Sequence, residues 1–239
     1  MSGFSSLLYG DFENIFITYD DFIDLYLQNF YFWGLNADII NTGYYPTFTK
    51  QPSIYNNIIP FNVTSIDISI RNIAFVTYDN VLWLLGNNLN GQLGINTQTD
   101  SLVPVQTICG GTDWQSVSCG YRHTGAIKTD GTLWLWGYNA DGQLGINTWT
   151  HRSSPVQIYG GGTNWKSVSC GGSHTGAIKT DGTLWMWGYN YYGQLSTNDK
   201  VHRSSPVQTI LGGTNWKSVS CGGSHTRSEE SLVGKWLLG

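Results

Sequence analysis

Apolar residues in this chain come in short unbroken runs divided by clusters of Gly, Asn, Ser and Thr. Leu133-Trp134-Leu135-Trp136 is apolar at every position. A strand covered on both faces shows that pattern, whereas a half-exposed strand alternates. Leu144 and Ile146, then Pro155-Val156-Gln157-Ile158, are further short pieces set among polar residues and read as outer strands and loops. No segment within the repeats carries a convincing helical period. Lys128-Thr129-Asp130-Gly131-Thr132 puts Asp-Gly between two apolar runs, which predicts a two-residue β-hairpin with positive φ at both central residues.

The whole arrangement recurs. Cys119, Cys170 and Cys221 stand 51 residues apart, and Trp114, Trp165 and Trp216 keep the same step. His123, His174 and His225 keep it too, as do Gln92, Gln143 and Gln194 and the glycines Gly86, Gly137, Gly188 and Gly239. A fixed period of this length belongs to propellers and solenoids, because each copy buries its apolar face only against its neighbours. A repeat domain over 24–239 is therefore expected, with units 35–86, 87–137, 138–188 and 189–239. The first unit is worn: Ile66-Asp67-Ile68-Ser69-Ile70-Arg71-Asn72 stands where Val117-Ser118-Cys119-Gly120-Tyr121-Arg122-His123 stands later. Residues 1–23 carry Asp11, Glu13, Asp20 and Asp21 with no basic residue and read as an acidic, solvated leader. After Thr226 the turn signal is lost, although Trp236 and Gly239 stay in register. The final dozen residues are expected to be less ordered than 176–188.

With 239 residues, 40% apolar and 14% aromatic, the chain has material for a core, and the repeat favours one domain. Only 12% of residues are charged and the net charge is -4, which gives no footprint for nucleic acid or an anionic membrane. Met1-Ser2-Gly3-Phe4 does not open a secretory signal, and no apolar run is long enough to cross a bilayer as a helix. Three of the four cysteines share one repeat position, so buried reduced thiols are expected in place of a disulfide framework. The expected setting is cytoplasmic or particle-associated.

Ser116-Val117-Ser118-Cys119-Gly120-Tyr121-Arg122-His123-Thr124, then Trp136-Gly137-Tyr138-Asn139 and Gly142-Gln143-Leu144-Gly145, resembles the regulator of chromosome condensation repeat. The resemblance is strong over 87–226 and weak over 24–86. It departs at Gly125 and Gly176, where that family usually carries an apolar residue. The resemblance implies an all-β fold, a β-propeller-type repeat of antiparallel blades, and a role as a binding platform. It does not carry over the nucleotide-exchange or chromatin-docking activities of the family's founder, since no unit holds an extra insertion and no basic arm is present. Family members have seven blades; four units and a hairpin supply about four to five, in an open or incomplete arc. Open blade edges would invite self-association.

Cys119 with His123 repeats as Cys170 with His174 and Cys221 with His225, but each pair supplies two ligands and neighbouring pairs lie a blade apart, so no metal is expected. A tripled cysteine is equally unsuited to nucleophilic catalysis, which needs one distinct site. Asp130-Gly131 and Asp181-Gly182 are read as turns. Gly110-Gly111, Gly160-Gly161-Gly162 and Gly212-Gly213 lack the continuation of a phosphate loop, and Asn139-Ala140-Asp141-Gly142 lacks the spaced acids of a calcium loop. No catalytic residue and no cofactor are expected.

Positions where near-identical units differ are more informative. Asn88-Leu89-Asn90 becomes Asn139-Ala140-Asp141 and then Asn190-Tyr191-Tyr192; Gln98 becomes Trp149 and is aligned next with Asp199; Tyr121-Arg122 becomes Gly and Ser. Loop aromatics and Arg are typical interface anchors. Tyr121, Arg122, Trp149, Tyr191 and Tyr192 are thus the candidate partner-binding residues. The expected function is a non-enzymatic protein-protein interaction platform with a protein partner, without nucleic acid or membrane. A virus or phage particle component and a carbohydrate-binding propeller are the alternatives.

Overall fold

A computed structural model describes residues 63–230; the leader 1–23, most of the unit 35–86 and the stretch 231–239 lie outside the described residues. The described chain forms β-strands joined by turns and loops. Three four-stranded antiparallel sheets follow one another, β1 to β4 (Val63–Ile68, Asn72–Thr77, Leu82–Gly86, Ser101–Gln106), β5 to β8 (Trp114–Cys119, His123–Lys128, Leu133–Gly137, Arg152–Gln157) and β9 to β12 (Trp165–Cys170, His174–Lys179, Leu184–Gly188, Arg203–Gln208). A two-stranded sheet, β13 (Trp216–Cys221) and β14 (Thr226–Glu230), begins a fourth. Each sheet is a simple meander in chain order. These are propeller blades, open at both ends within the described residues. A blade runs from one repeated Trp through the next closing glycine, so its fourth strand lies in the following 51-residue unit.

The first strands β1, β5, β9 and β13 pack on one another from blade to blade and form the inner rim. The fourth strands are outermost, and β4 exposes Leu102 and Val103. Pro104, Pro155 and Pro206 occupy these edge strands. Proline has no N–H to offer, so it blunts an edge that would otherwise template pairing.

Core residues alternate in the direction they face. In the second blade Ile127, Leu133 and Leu135 meet Ala177, Trp187 and Trp165 of the third; Ile178, Leu184 and Met186 repeat this against Trp216, Val219 and Cys221. Each blade therefore has a forward and a backward face, which is why Leu133-Trp134-Leu135-Trp136 carries no polar position. Gly125 and Gly176 sit on forward faces. A Cβ on Gly176 would come within 2.8 Å of Met186 Sδ, 2.9 Å of Val219 Cγ2 and 3.1 Å of Cys221 Sγ. The departure from the family's usual apolar residue is thus matched by the Val and Cys of the next blade filling that space.

The hairpins differ from the expected two-residue turn. Gly131 N–H donates to Lys128 O at 2.9 Å and Lys128 N–H to Thr132 O at 3.0 Å, and of Asp130 and Gly131 only the glycine has positive φ, 78°. This is a type I turn followed by a left-handed residue, the three-residue loop. In the worn first blade Asn80 takes the left-handed place with φ 60°, a conformation Asn tolerates better than most residues. Asp130 Oδ1 accepts from Thr132 N and Oγ1, at 2.9 and 2.7 Å. Those bonds hold the carboxyl below its ordinary range and give the repeated Asp a turn role.

Candidate functional site

Two sets of repeated polar residues give the arc its geometry. At the seams, His123 Nε2 lies 2.9 Å from Thr175 Oγ1 of the next blade, and His174 Nε2 lies 2.9 Å from Thr226 Oγ1. Thr175 has one proton and donates it to Gln143 O at 2.9 Å, so the histidine must be the donor, in its Nε2–H form. Trp187 Nε1 donates to the same Gln143 carbonyl at 2.8 Å. Burial, with the neighbouring His174 second, lowers His123 to about 3. Burial likewise lowers His174 to about 4. Both rings are neutral structural donors.

The cysteines sit on the same seams. Cys170 N–H donates to Ser118 Oγ at 3.0 Å and Cys221 N–H to Ser169 Oγ at 2.9 Å. At the first seam Asp67 replaces the serine, accepting from Cys119 N at 2.7 Å, and burial raises its carboxyl above the ordinary value. Burial also pushes the Cys119 and Cys170 thiols well up and Cys221 to about 12. These are packed thiols, poorly suited to attack. Among the described residues no three His, Cys, Asp or Glu side chains are grouped to hold a metal ion.

The second set builds loops. Asn139 is fully buried; its Nδ2 donates to Thr148 O and Thr150 O, and its Oδ1 accepts from Leu144 N. Gln143 Oε1 accepts from Asp141 N at 3.0 Å. Asn190 and Gln194 repeat the arrangement around Tyr191 and Tyr192, with Gln194 Oε1 accepting from Tyr192 N at 3.1 Å. His151 Nδ1 and His202 Nδ1 accept from the N–H of Asn139 and Asn190, at 2.8 and 2.9 Å, where Asp100 serves the first blade. The loop backbone is thereby fixed while positions 140–141 and 191–192 are left free to vary.

All five candidate residues lie on loops that leave the blades at one end, and all are exposed. The structure joins only some of them. Tyr191 and Tyr192 meet edge to face at 5.2 Å, and Tyr189 stands 6.4 and 6.1 Å from them. Lys200 Nζ lies 5.6 Å over Tyr191, and His202 packs on Tyr189 at 4.6 Å. In the blade before, Arg122 lies 5.6 Å over Tyr138, which stacks on His151 at 4.5 Å. Tyr121 points elsewhere, along the inner rim: its hydroxyl is 3.4 Å from where a Cβ on Gly223 would stand. Trp149, 49% exposed, has no ring partner among the described residues.

Trp149 also corrects an alignment. Asn139 Nδ2 bonds Thr148 O where Asn190 Nδ2 bonds Asp199 O, so Thr148 matches Asp199 and Trp149 matches Lys200. Tyr138, Tyr189, Lys200 and His202 were not among the sequence candidates. Their signal was present in the register, since Asp100, His151 and His202 stand 51 residues apart.

Three stretches, 79–127, 130–178 and 181–227, match the regulator of chromosome condensation (RCC1) repeat, and 114–143 and 165–194 match a second description of it. The ultraviolet-B receptor UVR8 of Arabidopsis thaliana is 35% identical over 171 residues, 70% of this chain and 39% of the receptor. The human E3 ubiquitin-protein ligase HERC2 is 27% identical over 85% of this chain and 4% of its own. Human WBSCR16 superposes with a TM-score of 0.67 at 23% identity, covering 85% of this chain and 53% of that one. Yeast Prp20p gives 0.63 at 20% identity, over 73% and 45%. The chain thus spans only a part of each relative. Repeats, seams and blades agree, and the chain belongs to the regulator of chromosome condensation (RCC1) repeat family.

Proposed function

We propose that this chain is a non-enzymatic protein-binding module whose contact surface is the loop end of the second and third blades, centred on Tyr191 and Tyr192. One observation carries the reading. The third blade's loop presents two tyrosines, 57% and 66% exposed, on a backbone fixed by buried Asn190 and Gln194. The same positions hold Leu89 and Asn90, then Ala140 and Asp141, in the other blades. Packing is satisfied by the shared residues, so the aromatic pair serves no seam. Aromatic side chains held in advance lose little freedom on binding and are the usual anchors of interfaces. Lys200 over Tyr191 and Arg122 over Tyr138 add cations to the rim.

The family supports a binding role. One solved relative, Prp20p, is described with its binding to Gsp1p and histones, and UVR8 is a receptor. The raised thiols and depressed histidines recur in successive blades as packing elements, which favours a scaffold over an enzyme.

The test is affinity capture on immobilised full chain, comparing wild type with Y191A/Y192A. Loss of a captured protein by tenfold or more, with unchanged thermal unfolding, is expected. Equal capture by the double variant overturns the assignment of the surface.

A further inference from the structure

The last described hairpin keeps one face of the repeat and exchanges the other. Its backward positions are Thr226 and Ser228, matching Thr175 and Ala177, and Thr226 Oγ1 makes the seam bond to His174 and donates to Gln194 O. Its forward positions are Arg227 and Glu229, matching Gly176 and Ile178. Elsewhere those two positions are the heart of the seam: Gly125 and Gly176 make room for the Val and Cys of the next blade, and Ile127 and Ile178 are fully buried. In β14 Arg227 and Glu229 form an ion pair at 3.1 Å, with side chains 79% and 54% exposed. In sequence register Lys235 stands where Leu133 and Leu184 stand, outside the described residues.

We infer that the forward face of the β13–β14 hairpin is an end cap, a polar face that refuses a further blade of this repeat from the same chain or from a second copy. The physics is direct. A side chain longer than glycine at 227 fills the space that Val219 and Cys221 occupy one seam earlier, and docking an apolar face on Glu229 would strip water from a carboxylate with only Arg227 to answer it. Terminal repeats of stacked arrays carry polar outer faces for this reason. At the opposite end of the described arc Ile73, Phe75 and Leu85 form a separate apolar cluster on the backward side of the first blade, and all three are buried. The charged forward face therefore meets no free apolar face at that end, in the same chain or in a second copy.

The test uses the full chain and its mass in solution. Wild type is expected to stay at the monomer mass of 26.5 kDa across a hundredfold range of concentration. The variant R227G/E229I, which supplies the Gly and Ile of the second and third blades' forward faces, is expected to become concentration-dependent, moving toward twice that mass and binding an apolar dye. Circular dichroism and thermal unfolding of both report that the hairpin still folds. A wild-type dimer that R227E or E229R dissolves would overturn the inference, because the face would then be an interface. A variant that stays monomeric and dye-negative would overturn it too, because the charged pair would not be what prevents stacking. Neither readout involves Tyr191 or Tyr192, so failure here is separable from failure of the proposed binding surface.

Discussion

His123 Nε2 donates to Thr175 Oγ1 across 2.9 Å, from one blade to the next, and the threonine hydroxyl in turn donates a hydrogen bond to Gln143 O. This two-step chain ties the second strands of two successive blades and a loop into one seam. Replacing His123 by Ala leaves Thr175 without its donor in a fully buried setting and opens a cavity. A loss of about 2–4 kcal/mol is expected, measured by urea unfolding. Asn, the residue the first blade carries at Asn72, should be no better than Ala at this bond, because its shorter amide bonds Asn87 O instead.

The same histidines set a pH dependence. Their folded-state values, about 3 and 4, lie below the ordinary 6.5, so the unfolded chain takes up protons first as pH falls. Stability is fully present above about 6.5 and drains as pH drops toward 4, at roughly 1.4 kcal/mol per pH unit for each histidine. Asp67 works the other way: its raised carboxyl favours protonation in the fold and lessens the loss near the acid end. Chemical unfolding from pH 7 to pH 4 should show a steep decline that H174Q makes shallower. A decline of unchanged slope in H174Q would contradict the assignment.

Gly145 and Trp187 form a second seam pair: a Cβ on Gly145 would stand 2.8 Å from Trp187 Nε1. One blade later Ser196 takes the glycine's place with φ 53°, and Leu238 stands in sequence where Trp187 would recur. G145S is expected to cost about 1–3 kcal/mol, and W187L in the same chain should recover part of that. A double-mutant cycle with no coupling between them would show that the Cβ and the indole do not compete.

Asn190 supports the aromatic loop from below. N190A removes the acceptor for Leu195 N and the amide that holds Asp199 O. Stability should fall by about 2–3 kcal/mol, and capture through Tyr191 and Tyr192 should weaken even at temperatures where the fold persists. Binding at wild-type strength in N190A would mean that the tyrosines need no fixed backbone.

Much of this was readable in the chain, for reasons particular residues make plain. The 51-residue step of Trp114, Cys119 and His123 announced blades, since only packing against copies rewards so strict a spacing. The turn at Asp130-Gly131 was legible as a turn but not as its type. Both hairpin forms use Asp-Gly, and the choice rests on whether Lys128 pairs with Thr132, a matter of strand register. Direction was hidden as well. Ile127 and Ala126 are both apolar, and nothing in their chemistry tells which meets the next blade. The aromatic loop was half visible: Tyr191 and Tyr192 stood out by their difference from Ala140 and Asp141, whereas Tyr189 and His202 stayed hidden because their equivalents Tyr138 and His151 look like ordinary repeat positions.

Gln143 O receives two donors from the following blade, Thr175 and Trp187, so a loop that belongs to one blade by chain is anchored in another. Gln194 O is served the same way by Thr226, and Gln194 is the residue that fixes Tyr192. The units that melt together are therefore offset from the blades seen by eye: opening the last hairpin loosens the surface of the blade before it. Damage, cleavage or a partner's grip at Thr226 would be felt at Tyr192 before any strand of the third blade came apart.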